Sequence, residues 1–421
     1  MVDDGLVALS TGAAPRRLED SESMSETTSS RPYWASRWEN RFDAALASVL
    51  RRRGWEPRIE PYTGYGLAAT DPGDAGDRGD GWVRVLGRVV LAPRPAGAAR
   101  PGSPGDPTAL PESSAPTPRR FGRPRAEGPE PLRAVRGWRS FLTAQLPGAH
   151  VIVTVDGHEH RTVADRGGYV DVVVSAGFGE GWHEVSVRPA EDGPTVSAPV
   201  RVVGRQVRTG LVSDVDDTVM VTSLPRPLTA IWNLLVLHED ARRPVRGMAD
   251  LYAEIDSLED QLPVVYLSTN TWNGAAALRR FFAFHGLPAG PMLLTDWGPT
   301  NTGWFRSGRE HKFHSLERLA RELPHVRWIL VGDDGQHDPL VYNRFAQMYP
   351  DHVRAIAIRQ LSPGEQVLAH GAPTPTVQAR AGMSAGAGPA IPVVSAPDGA
   401  RLRRSLRAAG VLPGGPATMD A

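Results

Sequence analysis

The run Ser213-Asp214-Val215-Asp216-Asp217-Thr218 closes an apolar stretch, and its carboxylates at Asp214 and Asp216 stand i, i+2 where a strand would give way to a loop. Two carboxylates so spaced can face one pocket, and a hard, oxygen-ligated Mg2+ satisfies both their charge and their geometry. An acidic turn or a helix cap is the reading that this spacing alone leaves open. Three further features favour chemistry. Leu267-Ser268-Thr269-Asn270 ends a second apolar stretch with hydroxyls able to hydrogen-bond a phosphoryl oxygen. Val331-Gly332-Asp333-Asp334-Gly335-Gln336-His337-Asp338 ends another with a second carboxylate cluster, a natural completion of a Mg2+ site. Between them lies Lys312, the sole lysine of the chain. Codon bias toward arginine accounts for a stray lysine but not for its position, where an ammonium balances clustered carboxylates and a bound phosphoryl group. A phosphate monoester hydrolyses extremely slowly in water. A site for it must neutralise phosphoryl charge and hold nucleophile and leaving oxygen in line, and a metal, a lysine and two carboxylates supply those functions.

These residues need a scaffold that brings successive strand ends together. Nearly continuous apolar runs at 211–215, 263–267, 292–295, 327–331 and 353–358 alternate with helical patterns near 247–258, 273–285, 311–323 and 339–348. That alternation predicts an α/β fold with a parallel sheet covered on both faces. Ligands of such sheets bind at the carboxyl ends of the strands, where all of the motif residues fall.

Acidic pair, hydroxyl, lysine, acidic pair, in that order on successive strand ends, resembles the motif series of the haloacid-dehalogenase superfamily of phosphotransferases. Within it, the 213–219 run, Arg246-Gly247-Met248, Tyr266-Leu267-Ser268-Thr269, His311-Lys312 and the 331–339 run resemble the actin-patch-associated phosphatidate phosphatase family, in a bacterial member, over about residues 205–362. The resemblance implies a Rossmann-like parallel sheet of haloacid-dehalogenase type. It implies Asp214 as the nucleophile that forms an aspartyl-phosphate. Asp216 is then the general acid that protonates the leaving alkoxide and afterwards activates water. The Asp216 carbonyl and the Asp333 carboxylate would join Asp214 around Mg2+, Ser268 and Lys312 would hold the phosphoryl oxygens, and Thr218, with Thr269, would support the loop and the phosphate. Asp338 would orient a metal-bound water. Asp334 stands where many relatives carry a small hydroxyl residue, so the division of outer-sphere work between Asp334 and Asp338 stays open. Asp217 is expected to be a solvated or loop-capping residue without a chemical role.

Upstream, Trp34, Trp38, Phe42, Ala45 and Val49 recur at helical spacing, which predicts an amphipathic helix ending at Arg51-Arg52-Arg53-Gly54. Strand patterns follow at 57–62 and 82–91, and short strands at 150–156, 169–175, 182–187 and 200–203 suggest a small antiparallel sandwich. His158-Glu159-His160 in that region is read as a solvated hairpin tip, with a metal pair as the alternative. The expected plan is a disordered 1–30, helix plus strands over 31–92, and a flexible linker over 93–130, where ten prolines fall between Pro93 and Pro129. A β-sandwich-like domain over 131–204, a catalytic domain over 205–362 and a disordered tail over 363–421 complete it. In that tail Leu402 and Leu406 sit among Arg401, Arg403, Arg404 and Arg407, read as an unstructured basic segment, or else as a basic amphipathic turn on an anionic surface.

Composition narrows the function classes. With 421 residues the chain is long enough for two to three domains that fold on apolar burial alone. The absence of cysteine excludes disulfide scaffolds, thiolate catalysis and cysteine-ligated metal centres. Equal counts of 47 basic and 47 acidic residues remove the strong global field of a nucleic-acid-coating protein, so no nucleic-acid partner is expected. No run reaches the length of a membrane span, and the acidic, Ser/Thr-rich start has no secretion-signal pattern, so the chain is expected in the cytoplasm, with peripheral membrane contact left open. A phosphorylated lipid substrate rests mainly on the family resemblance. The apolar run 224–237 and the pair Trp297 and Trp304 could shape an acyl-chain entrance or simply pack inward. The competing readings are a phosphatase of a soluble phosphomonoester and a non-catalytic membrane or protein adaptor; protein partners are not indicated.

Overall fold

The computed structural model describes residues 48–70, 80–93, 144–191, 193–221, 243–295, 308–335, 337–370 and 391–414. The expected disordered N-terminus, the proline-rich linker, the apolar run 224–237, Trp297 and Trp304 lie outside those residues. So does most of the expected N-terminal helix, of which residues 48–52 are described and helical.

Alternating and β-branched sequence builds the first unit. Its strands are β1 (Trp55–Leu67), β2 (Trp82–Pro93), β3 (Ala144–Gln145), β4 (His150–Val155), β5 (His158–Val163), β6 (Tyr169–Ser175), β7 (Gly181–Pro189) and β8 (Val196–Val203). They form one eight-stranded sheet in the order β3-β2-β1-β8-β7-β4-β5, with β6 also pairing to β2. The pairings are antiparallel except that of β1 with β8. Val85, Val89, Val151, Val153, Val185, Val187 and Val200 point inward and make a core of their own. The β4–β5 hairpin turns on Asp156 and Gly157, both at positive φ, as a two-residue primed turn demands. His158 at its tip is exposed and Glu159 pairs with Arg188 at 3.0 Å.

The second unit is mixed α/β with a fully parallel sheet. Its main strands are β9 (Thr209–Asp214), β12 (Val264–Thr271), β13 (Met292–Thr295), β14 (Arg327–Asp333), β15 (Val353–Arg359) and β16 (Val393–Ala396). The order is β13-β12-β9-β14-β15-β16. Every residue of β9 is buried, as expected of a central strand covered on both faces. A two-residue pair, β10 (Met220–Val221) with β11 (Arg243–Pro244), leaves the sheet directly after the first motif. The helices are α1 (Met248–Asp256), α2 (Ala275–Phe284), α3 (Gly308–Glu322), α4 (Asp338–Met348), α5 (Pro363–His370) and α6 (Gly399–Ala408). Met248, Leu251, Tyr252 and Ile255 of α1 show the i, i+3, i+4, i+7 stripe that seats a helix on a sheet. No described helix is long and apolar enough to cross a membrane.

Residues 393–408 differ from the expected unstructured tail. β16 extends the sheet beside β15 in parallel register, Ile356 with Val393 through Arg359 with Ala396. Helix α6 then returns over α1 with Leu402 and Leu406 fully buried, while Arg407 makes a forked pair with Glu254 at 2.6 and 2.7 Å. Close approach requires glycine on both sides. Gly247 is left-handed at φ +74, and a Cβ there would stand 2.6 Å from the Ala400 nitrogen. The apolar face of α6 is thus turned inward, which removes the anionic-surface reading of its leucines. Leu406→Ala is expected to lower unfolding free energy in a urea titration by about 2–5 kcal/mol. A loss below about 0.5 kcal/mol would be the behaviour of an exposed, unpacked residue.

The two units meet at α3 and at the end of β12. Tyr65 donates to Glu322 at 2.6 Å, Arg84 bridges Glu322 and Asp171, and Arg318 reaches Asp171 at 3.2 Å. Tyr62 stacks on Trp272 with ring centroids 4.4 Å apart. Tyr62, Tyr65 and Leu86 therefore belong to the core of the α/β unit. The helix that carries Lys312 is clamped at its far end by the β-rich unit.

Candidate active site

Strand order brings the motif residues together. β9 lies between β12 and β14, so the carboxyl ends that carry Asp214, Ser268 and Asp333 are adjacent. Asp214, Asp216, Ser268, Lys312, Asp333 and Asp338 are all buried. Carboxylate oxygens of Asp214, Asp333 and Asp338 lie within 4.8 Å of one another. Lys312, one turn into α3, extends its ammonium into the cluster, 2.7 Å from Asp214 Oδ1 and 2.5 Å from Asp338 Oδ1.

The other side chains fix this geometry. The Thr218 hydroxyl donates to Asp214 Oδ2 at 3.0 Å and lies 3.5 Å from Asp333 Oδ2, tying the loop to both strand ends. The Ser268 hydroxyl donates to Asp216 Oδ2 at 3.0 Å, so the Asp216 carboxylate is turned toward β12. Thr269 is half-buried, with its methyl group against Gly308 at the start of α3. Asp333 accepts from the Gly335 nitrogen at 2.7 Å, and its own nitrogen donates to Asp338 Oδ2 at 3.3 Å. Gly332 allows that approach, because a Cβ there would stand 2.5 Å from Asp338 Oδ2.

Asp334 and Asp338 part company in space. Asp338 begins α4 inside the cluster, whereas Asp334 Oδ1 accepts from the Leu361 nitrogen at 2.7 Å and its own nitrogen donates to the Arg359 carbonyl. Asp217 is buried rather than solvated and stands at φ +54, so it makes the tight turn of the first motif. Two further side chains, to which the sequence reading gave no role, support the site. The Ser213 hydroxyl donates to the Asp214 carbonyl at 2.6 Å and is 2.6 Å from the Tyr252 hydroxyl on α1. Ser213 is adjacent to the acidic pair and could have been suspected, but nothing in the sequence singles out Tyr252.

The electrostatics are those of a site short of positive charge. Burial pushes the Asp214 carboxyl up to about 8, Lys312 pulls against this, and Asp338 and Asp216 add to the rise. Burial, with Asp338 and Asp214, holds Asp333 well above the carboxylate range against the pull of Lys312. Burial opposes charge on Lys312 too, but Asp214, Asp338 and Asp333 outweigh it and raise its pKa. Three buried carboxylates around one ammonium leave an excess of negative charge, and their all-oxygen donor set fits a hard divalent cation such as Mg2+.

A pH dependence follows. Between the ordinary carboxyl value of 3.8 and about 8, folded Asp214 without a cation holds a proton that the unfolded chain has released. The folded state then binds more protons, so the metal-free protein loses stability as pH rises through that window. A divalent cation held by these carboxylates would compete with the proton, so Mg2+ is expected to raise the melting temperature more at about pH 8 than at about pH 6. Thermal melts with and without Mg2+ at the two values check this; an equal rise, or none, contradicts it.

Comparison with known proteins gives the same segment. Residues 209–360 match the family model described as the catalytic domain of phosphatidate phosphatase APP1. Among curated relatives, the chain is 25% identical over 151 residues to phosphatidate phosphatase APP1 of Saccharomyces cerevisiae, 36% of this chain and 25% of that one. It is 23% identical over 152 residues to an uncharacterized protein of Schizosaccharomyces pombe, with the same coverage. The chain thus spans about a quarter of the length of these relatives. A carbohydrate acetylesterase of Xanthomonas citri, at 12% identity over 53% of this chain and 67% of its own with a TM-score of 0.20, is too distant to carry an argument. Residues 209–360, which hold every side chain of the site, are thus similar to the catalytic domain of phosphatidate phosphatase APP1.

Proposed function

We propose that the protein is a Mg2+-dependent phosphatase of haloacid-dehalogenase type that hydrolyses phosphatidate to diacylglycerol and inorganic phosphate through an aspartyl-phosphate. The observation that carries this reading is the buried contact of Lys312 with Asp214 and Asp338, beside Asp333, at the carboxyl ends of a parallel sheet. Asp214, Asp333 and the Asp216 carbonyl would hold the cation, with Asp338 placed to orient a water on it. The bound cation would supply the charge that lets Asp214 ionise and would offset the charge of the phosphoryl oxygens.

An Asp214 oxygen attacks phosphorus in line with the ester oxygen. The P–O bond to the glycerol breaks, and Asp216 gives its proton to the departing alkoxide. Asp216, now ionised, removes a proton from water, which attacks the phosphorus of the aspartyl-phosphate and releases phosphate with Asp214 restored. Lys312 and the Ser268 hydroxyl hold the phosphoryl oxygens, and Thr218 keeps the Asp214 carboxylate aimed.

The lipid half of the reading is supported by the similarity of residues 209–360 to the APP1 catalytic domain and implies at least transient contact with a membrane surface. The test is phosphate release from phosphatidate in mixed micelles and from glycerol 3-phosphate, with Mg2+ or with chelator. Metal-dependent release that favours the lipid by about tenfold or more is the expected result. Release from the soluble ester alone would keep the chemistry and remove the lipid. Absence of release from both would favour the adaptor reading.

A further inference from the structure

β15 ends on Arg359, whose guanidinium is buried beside the first motif. A buried guanidinium needs partners for its donors, and its partners here come from three separate segments. Nη1 donates to the Asp217 carbonyl at 2.6 Å, Nη2 to Glu365 on α5 at 2.5 Å, and Nε to the Pro397 carbonyl at 3.4 Å, in the turn between β16 and α6. Arg359 is also the register partner of Asp333 across β14 and β15. Glu365 and Pro397 both lie beyond residues 209–360. The arginine therefore ties the first motif to chain outside the matched segment.

What it grips is a strained point. Asp217 is one of three described residues other than glycine with positive φ, a conformation that persists where the surroundings hold it. The Asp217 carbonyl lies in the turn that directly follows Asp216, so the bond from Arg359 helps to fix the backbone that carries the Asp216 side chain, whose Oδ2 accepts from Ser268. If the turn at Asp217 relaxed, the backbone that carries Asp216 would shift while Asp214, Lys312 and Asp333 kept their places on strands and helix.

We propose that Arg359 is a positioning residue for Asp216: through the Asp217 carbonyl it holds the left-handed turn that aims the general acid, and it touches no reacting atom. This rests on the reading of Asp216 as the acid of the proposed phosphatase. Proton donation matters for an alkoxide leaving group and hardly at all for p-nitrophenolate, which departs without a proton. A lost aim therefore shows as a leaving-group-selective defect.

The experiment compares wild type, Arg359→Met, Arg359→Lys and Asp216→Asn in the full chain, with p-nitrophenyl phosphate and an alkyl phosphate. Lysine keeps a cation beside Glu365, but a single ammonium cannot span Glu365 and the Asp217 carbonyl as the fork does, so that variant serves if methionine prevents folding. Both Arg359 variants are expected to lose on the order of 10²-fold in kcat/KM, which reads phosphoryl transfer to Asp214, on the alkyl ester and under about tenfold on p-nitrophenyl phosphate, while kcat, which also reads the hydrolysis that Asp216 assists, falls on both. Asp216→Asn should show the same selectivity more strongly. Equal losses of kcat/KM on both esters, or no loss, in Arg359→Lys would overturn the proposal while leaving the phosphatase reading standing. Absence of selectivity in Asp216→Asn would overturn the acid assignment itself and the proposal with it.

Discussion

Asp214→Asn is expected to lower phosphate release by at least about 10⁴-fold, the scale seen when a covalent nucleophile is removed. The amide has nearly the shape of the carboxylate and can keep the Lys312 and Thr218 contacts at 2.7 and 3.0 Å, so the loss belongs to chemistry rather than folding. The same change should flatten the pH dependence of stability in the metal-free protein. It removes a group whose carboxyl is pushed up to about 8 by burial and by Asp338 and Asp216 against the pull of Lys312. Thermal melts between about pH 5 and pH 9, run beside the phosphate assay, give both readouts on one preparation. Retention of more than about 1% of wild-type activity would exclude a covalent route through Asp214.

Lys312→Met should damage both stability and turnover. The lysine is the shared partner of Asp214 and Asp338, all three side chains being buried. Removing it strands carboxylates in a low-dielectric interior, a change that costs about 3–5 kcal/mol when one member of a buried ion pair is deleted. The loss should be largest above pH 8 and smaller at about pH 5, where Asp214 holds a proton. Turnover should fall by about 10²–10³-fold, as for loss of a donor to a charged transition state. The double variant Lys312→Met, Asp338→Asn separates the two roles, because neutralising Asp338 removes one stranded charge but restores no contact to the phosphoryl group. Urea titration is expected to show a substantial recovery of stability with activity still absent. Strictly additive destabilisation would mean that the two residues are not coupled as their 2.5 Å contact requires.

Wherever one periodicity dominated, the elements were legible in the sequence. The runs 327–331 and 353–358 read as continuous apolar stretches because both faces of the sheet are covered, and the strands Arg327–Asp333 and Val353–Arg359 contain them. Met292–Thr295 has the expected bounds. The C-terminal strand and helix were missed for a reason of the same kind. Val393–Ala396 is only four residues long, follows a Gly/Pro/Ala-rich stretch, and belongs to an edge strand whose partner, β15, is distant in sequence. Leu402 and Leu406 are two apolar residues in a helix otherwise rich in arginine, too few to signal burial until α1 is seen beneath them.

The candidate site divides along the same line. Residue type and spacing determined which side chains could take part: Asp214 and Asp216 at i, i+2, the hydroxyls of Ser268 and Thr269, the single lysine, and the cluster from Asp333 to Asp338. Covalent order along a strand end dictates such sets, so they are visible in one dimension. Tertiary structure alone decided which of them meet. Lys312 is 98 residues from Asp214 and 26 from Asp338, and only the β12-β9-β14 order with α3 laid across it turns those separations into contacts of 2.7 and 2.5 Å. It also decided that Asp338 enters the cluster while Asp334 secures Leu361, that Tyr252 backs Ser213, and that Arg359 reaches back to Asp217. Long-range hydrogen bonds between buried polar groups depend on where strands are placed in a sheet, and that placement is set by the packing of the whole apolar core rather than by any local run of residues.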